Sequence, residues 1–450
     1  MLNQIATIAR TTFIEAIRQP IYFFMIVLSG MFQILNTWAT GFSMDRETVG
    51  ELEADNKLLF DIGLSTIFGC GVILAAFISS ATISREIENK TALTVISKPV
   101  HRATLVMGKY LGVTAAILMA TVVMLIFLLL GIRHGVLTTA ADNIDGPVWV
   151  FTIGATLLAI SLSAFANFFY GWSFTQCASL LTPVLFVLAY LGVLGLGKDW
   201  EWQSLATDFK PKVTLACVVL AMAVLVLTSI SVAASTRFGQ VMTLAVTAGV
   251  FVAGLVSNHF LGTRAVENEL IGYVESVSIQ DPTDLNMDKL GSRATVLLEG
   301  PPRIEVPTGA SFYYGPNPNG LALAVPEHAP FVGDPQADGL LSSSVAPAMI
   351  IEQSDGQEFV IRLIGGQRLS IARPPEAGDA VFITPTQINP ITFAAWAALP
   401  NMQHFWLIDA ITQNRPIPAG YVLLAGLYAI CQIGAFLAIG VALFERRDMG

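Results

Sequence analysis

PVWVFTIGATLLAISLSAFANFFYGWSFTQCASLLTPVLFVLAYLGVLGLG, Pro147 to Gly197, is a run of 51 residues without a single Asp, Glu, Lys or Arg. Drawn out as one helix at about 1.5 Å per residue it would measure about 77 Å, more than twice a hydrocarbon core of about 30 Å. The run therefore reads as crossing a bilayer, turning and crossing back. Its natural break is Tyr170-Gly171-Trp172-Ser173, an aromatic and glycine cluster of the kind that sits at headgroup level. Each crossing is helical, because lipid gives the backbone no other hydrogen-bond partner.

Outward from this run, further charge-free stretches of spanning length are Ile21–Met44, Ile62–Ser84, Tyr110–Ile132, Val213–Thr236, Phe238–Thr263 and Pro416–Phe444. The fold expected is an all-α polytopic membrane bundle of about eight transmembrane helices. Composition agrees: 54% of residues are hydrophobic and 13% charged, against about 25% charged in soluble proteins, which excludes a soluble enzyme. With 24 Lys and Arg against 33 Asp and Glu there is no basic surface for nucleic acid. Cys70, Cys177, Cys217 and Cys431 all lie in apolar runs without metal-like spacing and read as small core residues.

An even number of spans puts both termini on one face. That face carries ten Lys and Arg (Arg10, Arg18, Arg85, Lys90, Lys98, Arg102, Lys109, Arg237, Arg446, Arg447) against six in the short loops opposite, so both termini are expected in the cytoplasm. Lys198, Lys210 and Lys212 run against this trend; a single crossing by Pro147–Gly197 would invert everything after it. Residues 1–19 are amphipathic, with Ile5, Ile8, Ala9, Thr12, Phe13, Ala16 and Ile17 on one helical face and Gln4, Arg10, Glu15 and Arg18 on the other. They read as a helix lying in the interface plane and ending at Pro20, with no cleavable signal peptide.

Between Arg264 and Arg415 the composition turns to Pro, Gly, Asp and Ser, with seventeen acids and eight bases. Alternating runs at Tyr273–Ile279, Gln357–Ile364 and Arg368–Ala372, the last two joined by Gly365-Gly366 as a hairpin, predict a small β-rich extracytoplasmic domain inserted over 264–385. Residues 301–348 read as irregular. Residues 386–415, uncharged up to Ile408 but broken by Pro390 and Pro400, suit a re-entrant or interfacial segment rather than a span.

No catalytic constellation stands out. Gly192 to Lys198 has the GxxxxGK spacing of a phosphate loop, but Asp199 replaces the hydroxyl residue and the segment ends a span. His101, His134, His259, His328 and His404 are scattered, and no metal site is expected. The charge-free spans give no ion-coupling residue, so energy must come from outside the chain, which turns attention to the loop 84–109. There Glu86 and Lys90 form an i,i+4 pair while Ala92, Leu93 and Ile96 make an apolar face; a short amphipathic helix ending before Pro99 suits a groove in a partner protein.

Arg85-Glu86-Ile87-Glu88, Thr91, Ser97-Lys98-Pro99-Val100 and Gly108-Lys109 resemble the coupling region of type 2 ATP-binding-cassette (ABC) exporter permeases, in particular the multicopper-enzyme-maturation and gliding branch. Arg10, Phe13, Glu15 and Arg18 resemble that family's elbow helix, Leu399-Pro400-Asn401 through Phe405 its outer re-entrant segment, and Leu443-Phe444-Glu445-Arg446-Arg447 its C-terminal end. The resemblance implies a permease subunit that has no ATP site of its own and binds no cofactor. ATP and Mg would reside on a partner ABC ATPase, contacted by Arg85, Glu86, Glu88, Thr91, Leu93, Ile96, Lys98 and Pro99. A second permease half, another copy or a related chain, would complete the transporter in membrane lipid, in a bacterial plasma (inner) membrane.

The implied organisation is an elbow helix over 1–19, a transmembrane region over 20–263, the insertion 264–385, the re-entrant segment 386–415, a last span over 416–444 and a cytoplasmic tail over 445–450. Three features depart from the family: about eight spans where six are usual, Lys90 where glycine is common, and the β-rich insertion. The outer insertion and the absence of a polar lining in the spans keep open a second reading, a membrane adaptor that relays ATPase movement to the outer domain without moving cargo. Gly108-xxx-Gly112 and Gly69-x-Gly71 mark places where helices could approach closely.

Overall fold

The computed structural model describes residues 2–39, 54–84, 101–135, 144–281, 284, 287, 289–318, 323–326, 328, 331, 333–337, 339–367, 369, 371–384, 386–407 and 417–446. The elements in chain order are α1 (Leu2–Ile17), α2 (Pro20–Ala39), α3 (Ala54–Ser79), α4 (Arg102–His134), α5 (Gly146–Tyr170), α6 (Phe174–Gly195), α7 (Pro211–Ser235), α8 (Gln240–Ser257), strands β1 (Val266–Glu267), β2 (Leu270–Ile279), β3 (Arg293–Leu298), β4 (Tyr313–Gly315), β5 (Ala348–Asp355), β6 (Glu358–Ile364), β7 (Ala380–Phe382) and β8 (Gln387–Ile388), then α9 (Pro390–Ala398) and α10 (Ala419–Glu445). Two compact units result, Met1–Ala253 with Met402–Gly450, and Gly254–Asn401.

Among the described residues, eight helices are long and apolar enough to cross a membrane: α2 to α8 and α10. In the first unit α3 and α7 are the most enclosed of the spanning helices; α7 buries Val219, Leu220, Ala223, Val224, Val226 and Leu227 in a core shared with Leu74 and Ala75 of α3 and Ala116, Ile117 and Ala120 of α4. Lipid supplies no hydrophobic drive between helices, so close fit and internal polar bonds must hold them. Gly71 supplies the fit, since a Cβ there would stand 3.1 Å from Val224. The bonds come from Tyr22 Oη to Ala116 O (2.9 Å), Gln33 Nε2 to Gly63 O (2.9 Å), Asn36 Nδ2 to Leu59 O (2.8 Å) and Ser231 Oγ to Ala75 O (3.2 Å). Gly69 has open space beside it and plays no such part.

The long apolar run does fold back between Tyr170 and Phe174. Gly171 takes a left-handed φ of 66° as the cap of α5, its N–H and that of Trp172 close on Asn167 O and Ala166 O, and Asn167 Nδ2 donates to Trp172 O. Gly192, inside the phosphate-loop lookalike, lies within α6, where a Cβ would sit 2.5 Å from the Phe151 ring. Its freedom serves α5–α6 packing.

The second unit is built on a six-stranded antiparallel sheet in the order β4-β7-β2-β3-β6-β5. Alternate residues of β2, β3, β5 and β6 bury Val274, Val296, Leu298, Met349, Ile351, Phe359 and Ile361 around Phe312 and Tyr314. Burial pushes the Tyr314 phenol well above its usual range, against the opposing effect of Arg373, and its hydroxyl donates to Arg373 O. Arg373 in turn grips buried Asp379 through both guanidinium nitrogens, at 2.7 and 2.5 Å.

Two expectations are corrected. The hairpin is not at Gly365-Gly366: β5 and β6 join through Asp355-Gly356-Gln357-Glu358, with Gly356 at φ 59°, while Leu369 and Ile371 lie outside any strand. Gly365, at φ 106°, is needed instead because a Cβ there would meet the Pro347 backbone at 2.5 Å. Nor are the spanning helices free of charge. α4 continues past Tyr110–Ile132 at both ends and takes in Lys109 and Arg133, whose side chains are 8% and 9% exposed and held by specific partners.

Candidate functional site

The amphipathic leader forms α1 and buries Thr12, Ala16 and Ile17, with Phe13 packed at the edge of the core. It lies directly on α4, at Gly108 and Gly112. A Cβ on Gly108 would be 2.8 Å from Ile8, and one on Gly112 would be 2.5 Å from Ala9 O and 2.7 Å from Thr12. Any side chain at these two positions would lift α1 off α4. The spacing of four is what places both glycines on one helix face.

Lys109 follows the first of these glycines and lies buried where three elements meet. Its Nζ donates to Thr82 O at 3.2 Å and lies 3.8 Å from Glu15 Oε2 of α1. Thr82 belongs to a π-helical turn, Ser80–Ser84, that prolongs α3 to the threshold of residue 85. Such turns are local departures from the regular helix and recur at functional sites. Glu15 is half exposed, so the ion pair alone is worth at most about 1 kcal/mol. The stronger constraint is burial of the ammonium, which needs the Thr82 carbonyl.

The other end of the same loop is equally anchored. Arg102, first residue of α4, donates to Phe444 O at 2.9 Å and Glu445 O at 2.8 Å, and its guanidinium lies over the Phe444 ring at 5.7 Å. A cation there satisfies the orphan carbonyls at the C-terminus of α10 and complements its dipole. Ile83, Val106, Tyr110, Val232, Leu437 and Phe444 form one apolar cluster around this joint. The described residues on either side of 85–100 are thus both tied into the helix bundle. Arg85, Glu86, Glu88, Thr91, Leu93, Ile96, Lys98 and Pro99 themselves lie outside the described residues.

Of the remaining predicted residues, Arg18, just past α1, donates through Nε to Gln176 Oε1 at 2.8 Å in the first turn of α6, and Ser179 Oγ in the second turn donates to Ile17 O at 3.2 Å. Arg10 is exposed. In the second unit Pro400 is buried and Asn401 Nδ2 donates to Asn258 Oδ1 at 2.5 Å, beside Trp396 Nε1 on the same acceptor at 3.0 Å. Phe405, in a 3-10 turn over Met402–Phe405, is buried in the core of the first unit, 6.0 Å from the Tyr428 ring.

A charged cluster that sequence reasoning missed lies at the opposite end of α4. Arg133 meets Asp208 at 2.5 Å, Leu196 O at 2.9 Å and fully buried Asp145 at 3.5 Å, while Asp145 also caps α5 by accepting from Val148 N. Asp208 accepts a second bond from Gln203 Nε2. The sequence signal was slight: Arg133 and Asp145 border apolar runs, and Asp208 lies in the short polar stretch before Val213. Beside it, an apolar groove of about 230 Å³ opens between α2, α4 and α5, lined among others by Met31, Ile34, Phe127, Leu130 and Trp149. Trp149 Nε1 donates to His134 Nε2 at 3.1 Å.

Residues 6–173, from α1 to the turn before α6, match the family described as ABC-2 family transporter protein. The match takes in α1, the π-turn, α4 and the loop before it, but not the end of α10 to which Arg102 is bonded, and it supports an ABC-2 type permease in a multi-pass integral membrane protein. No curated protein and no solved structure matches the chain.

Proposed function

We propose that the chain is the membrane-spanning permease subunit of an ABC exporter, worked by separate ATPase subunits that engage residues 85–100. The observation that carries this is the double anchoring of that loop, by Lys109 to the π-turn and α1, and by Arg102 to the end of α10. A push on a segment held at both ends is delivered to α1, α3, α4 and α10 together. Glu86 and Glu88 supply the polar contact to the ATPase, and ATP and Mg are bound there, on the partner. On this reading α1, the loop and the tail face the cytoplasm of a bacterial cell, and residues 264–385 lie outside it.

A second permease half, a copy or a relative of the multicopper-maturation and gliding type, covers the apolar faces that α5 and α10 leave exposed, with lipid around the rest. The groove between α2, α4 and α5 favours an apolar cargo. The adaptor reading draws support from the separate sheet unit, which could receive movement without any cargo passing. The test is affinity purification of the tagged chain from native membranes beside a Glu86→Arg/Glu88→Arg variant. A stoichiometric ATPase recovered with the parent and lost with the variant is expected; equal recovery from both would remove the loop from the interface. Flux in vesicles, with ATP turnover as control, then separates exporter from adaptor.

A further inference from the structure

Lys198 and Lys210 are two of the three lysines, with Lys212, that run against the charge asymmetry of the loops, and the fold gives these two a common place. Both line a cleft of about 130 Å³ between α4, α6 and α7. Leu129, Leu194 and Val213 provide its apolar side, Arg133 and Asp208 its polar wall. Both lysines are exposed, and among the described residues neither has an ion-pair partner. Asp199 and Glu201, their neighbours in the chain, do not line the cleft.

We propose that this cleft binds the phosphate headgroup of an anionic phospholipid, with an acyl chain along the apolar side. The cleft is net basic, since Arg133, Lys198 and Lys210 line it against Asp208 alone, and Asp145 lies behind Arg133 rather than in the lining. A phosphodiester supplies a compensating negative charge. Lys210 is also the N-cap residue of α7, a helix with no side-chain cap bond and no acid in its first turn, so its N-terminal N–H groups add to the positive side of the cleft. Position agrees too. α6 ends at Gly195 and α7 starts at Pro211, which sets both lysines just beyond spanning helices, at headgroup level. Basic pockets between spanning helices hold anionic headgroups on the cytoplasmic or matrix side of other membrane proteins, and the same chemistry serves here on the face opposite the termini. The site depends on the helices crossing a membrane and not on any ATPase partner.

The test is native mass spectrometry of the detergent-purified full chain titrated with phosphatidylglycerol or phosphatidylcholine. Preferential retention of phosphatidylglycerol is expected. Because each lysine is worth about fivefold in affinity for an anionic headgroup, Lys198→Gln/Lys210→Gln should weaken it about thirtyfold. Lys289→Gln, which removes an exposed lysine of the other unit paired with Asp281, should leave retention unchanged. Equal retention of the two lipids, or by parent and double variant, would overturn the proposal. Displacement of the lipid by millimolar inorganic phosphate would also overturn it, by assigning the cleft to a free anion.

Discussion

Two glycines of identical chemistry separate packing from mere occurrence. At Gly112 an added Cβ meets the backbone of α1, which cannot swing aside, whereas at Gly69 it meets nothing within 4 Å. Gly112→Ala should therefore destabilise by about 1–3 kcal/mol through overpacking, while Gly69→Ala should be neutral or stabilise by up to about 1 kcal/mol through helix propensity. Thermal unfolding in detergent reads both signs. Arg133 is the opposite kind of residue, one whose loss strands a charge. Arg133→Met leaves Asp145 wholly buried without its counter-ion and should cost about 3–5 kcal/mol; Arg133→Met/Asp145→Asn should recover part of that loss in the same melt.

At the scale of elements, the arrangement around residues 85–100 matters more than any single contact. Arg102→Ala removes two hydrogen bonds from the end of α10 and should cost about 1–2 kcal/mol, while the ATPase should still co-purify, because the loop residues themselves remain. Reduced vesicle flux with the ATPase still bound is the outcome that tests transmission through the joint. The spanning helices and the fold-back at Gly171 were legible because lipid permits only helices of a minimum length and glycine supplies the left-handed cap. The amphipathic face of α1 and the Gly108–Gly112 pair were legible through helical periodicity. The joints were not. Lys109 with Thr82 and Arg102 with Glu445 are separated by 27 and 343 residues, and Arg133 with Asp208 by 75. Periodicity carries no information at such range. The hairpin was misplaced for a different reason: Gly365 is required by close approach to Pro347, and the Asp355-Gly356 turn is the stronger signal.

For the molecule as a whole, the sheet unit reads as an insertion whose two ends meet. β1 pairs with β8 through Val266↔Ile388, Asn389 N donates to Ala265 O at 3.0 Å, and Thr392 Oγ1 donates to Arg264 O at 2.9 Å. Adjacent ends allow excision, and each unit has its own core. Replacing residues 268–386 by a short Gly-Ser linker should leave the membrane unit folded and bound to its ATPase. An exporter whose path lies wholly among the helices would keep some flux after this excision, whereas an adaptor would lose its output.

On the proposed function, residues 85–100 meet an ATPase on the side of the membrane where α1 and the end of α10 lie. A photo-crosslinking amino acid placed at position 88, and in a separate chain at position 199, tests it in native membranes. A covalent adduct with a nucleotide-binding subunit is expected from position 88 and none from position 199. An adduct from position 199 alone, or from neither position in membranes where the complex is intact, would contradict it.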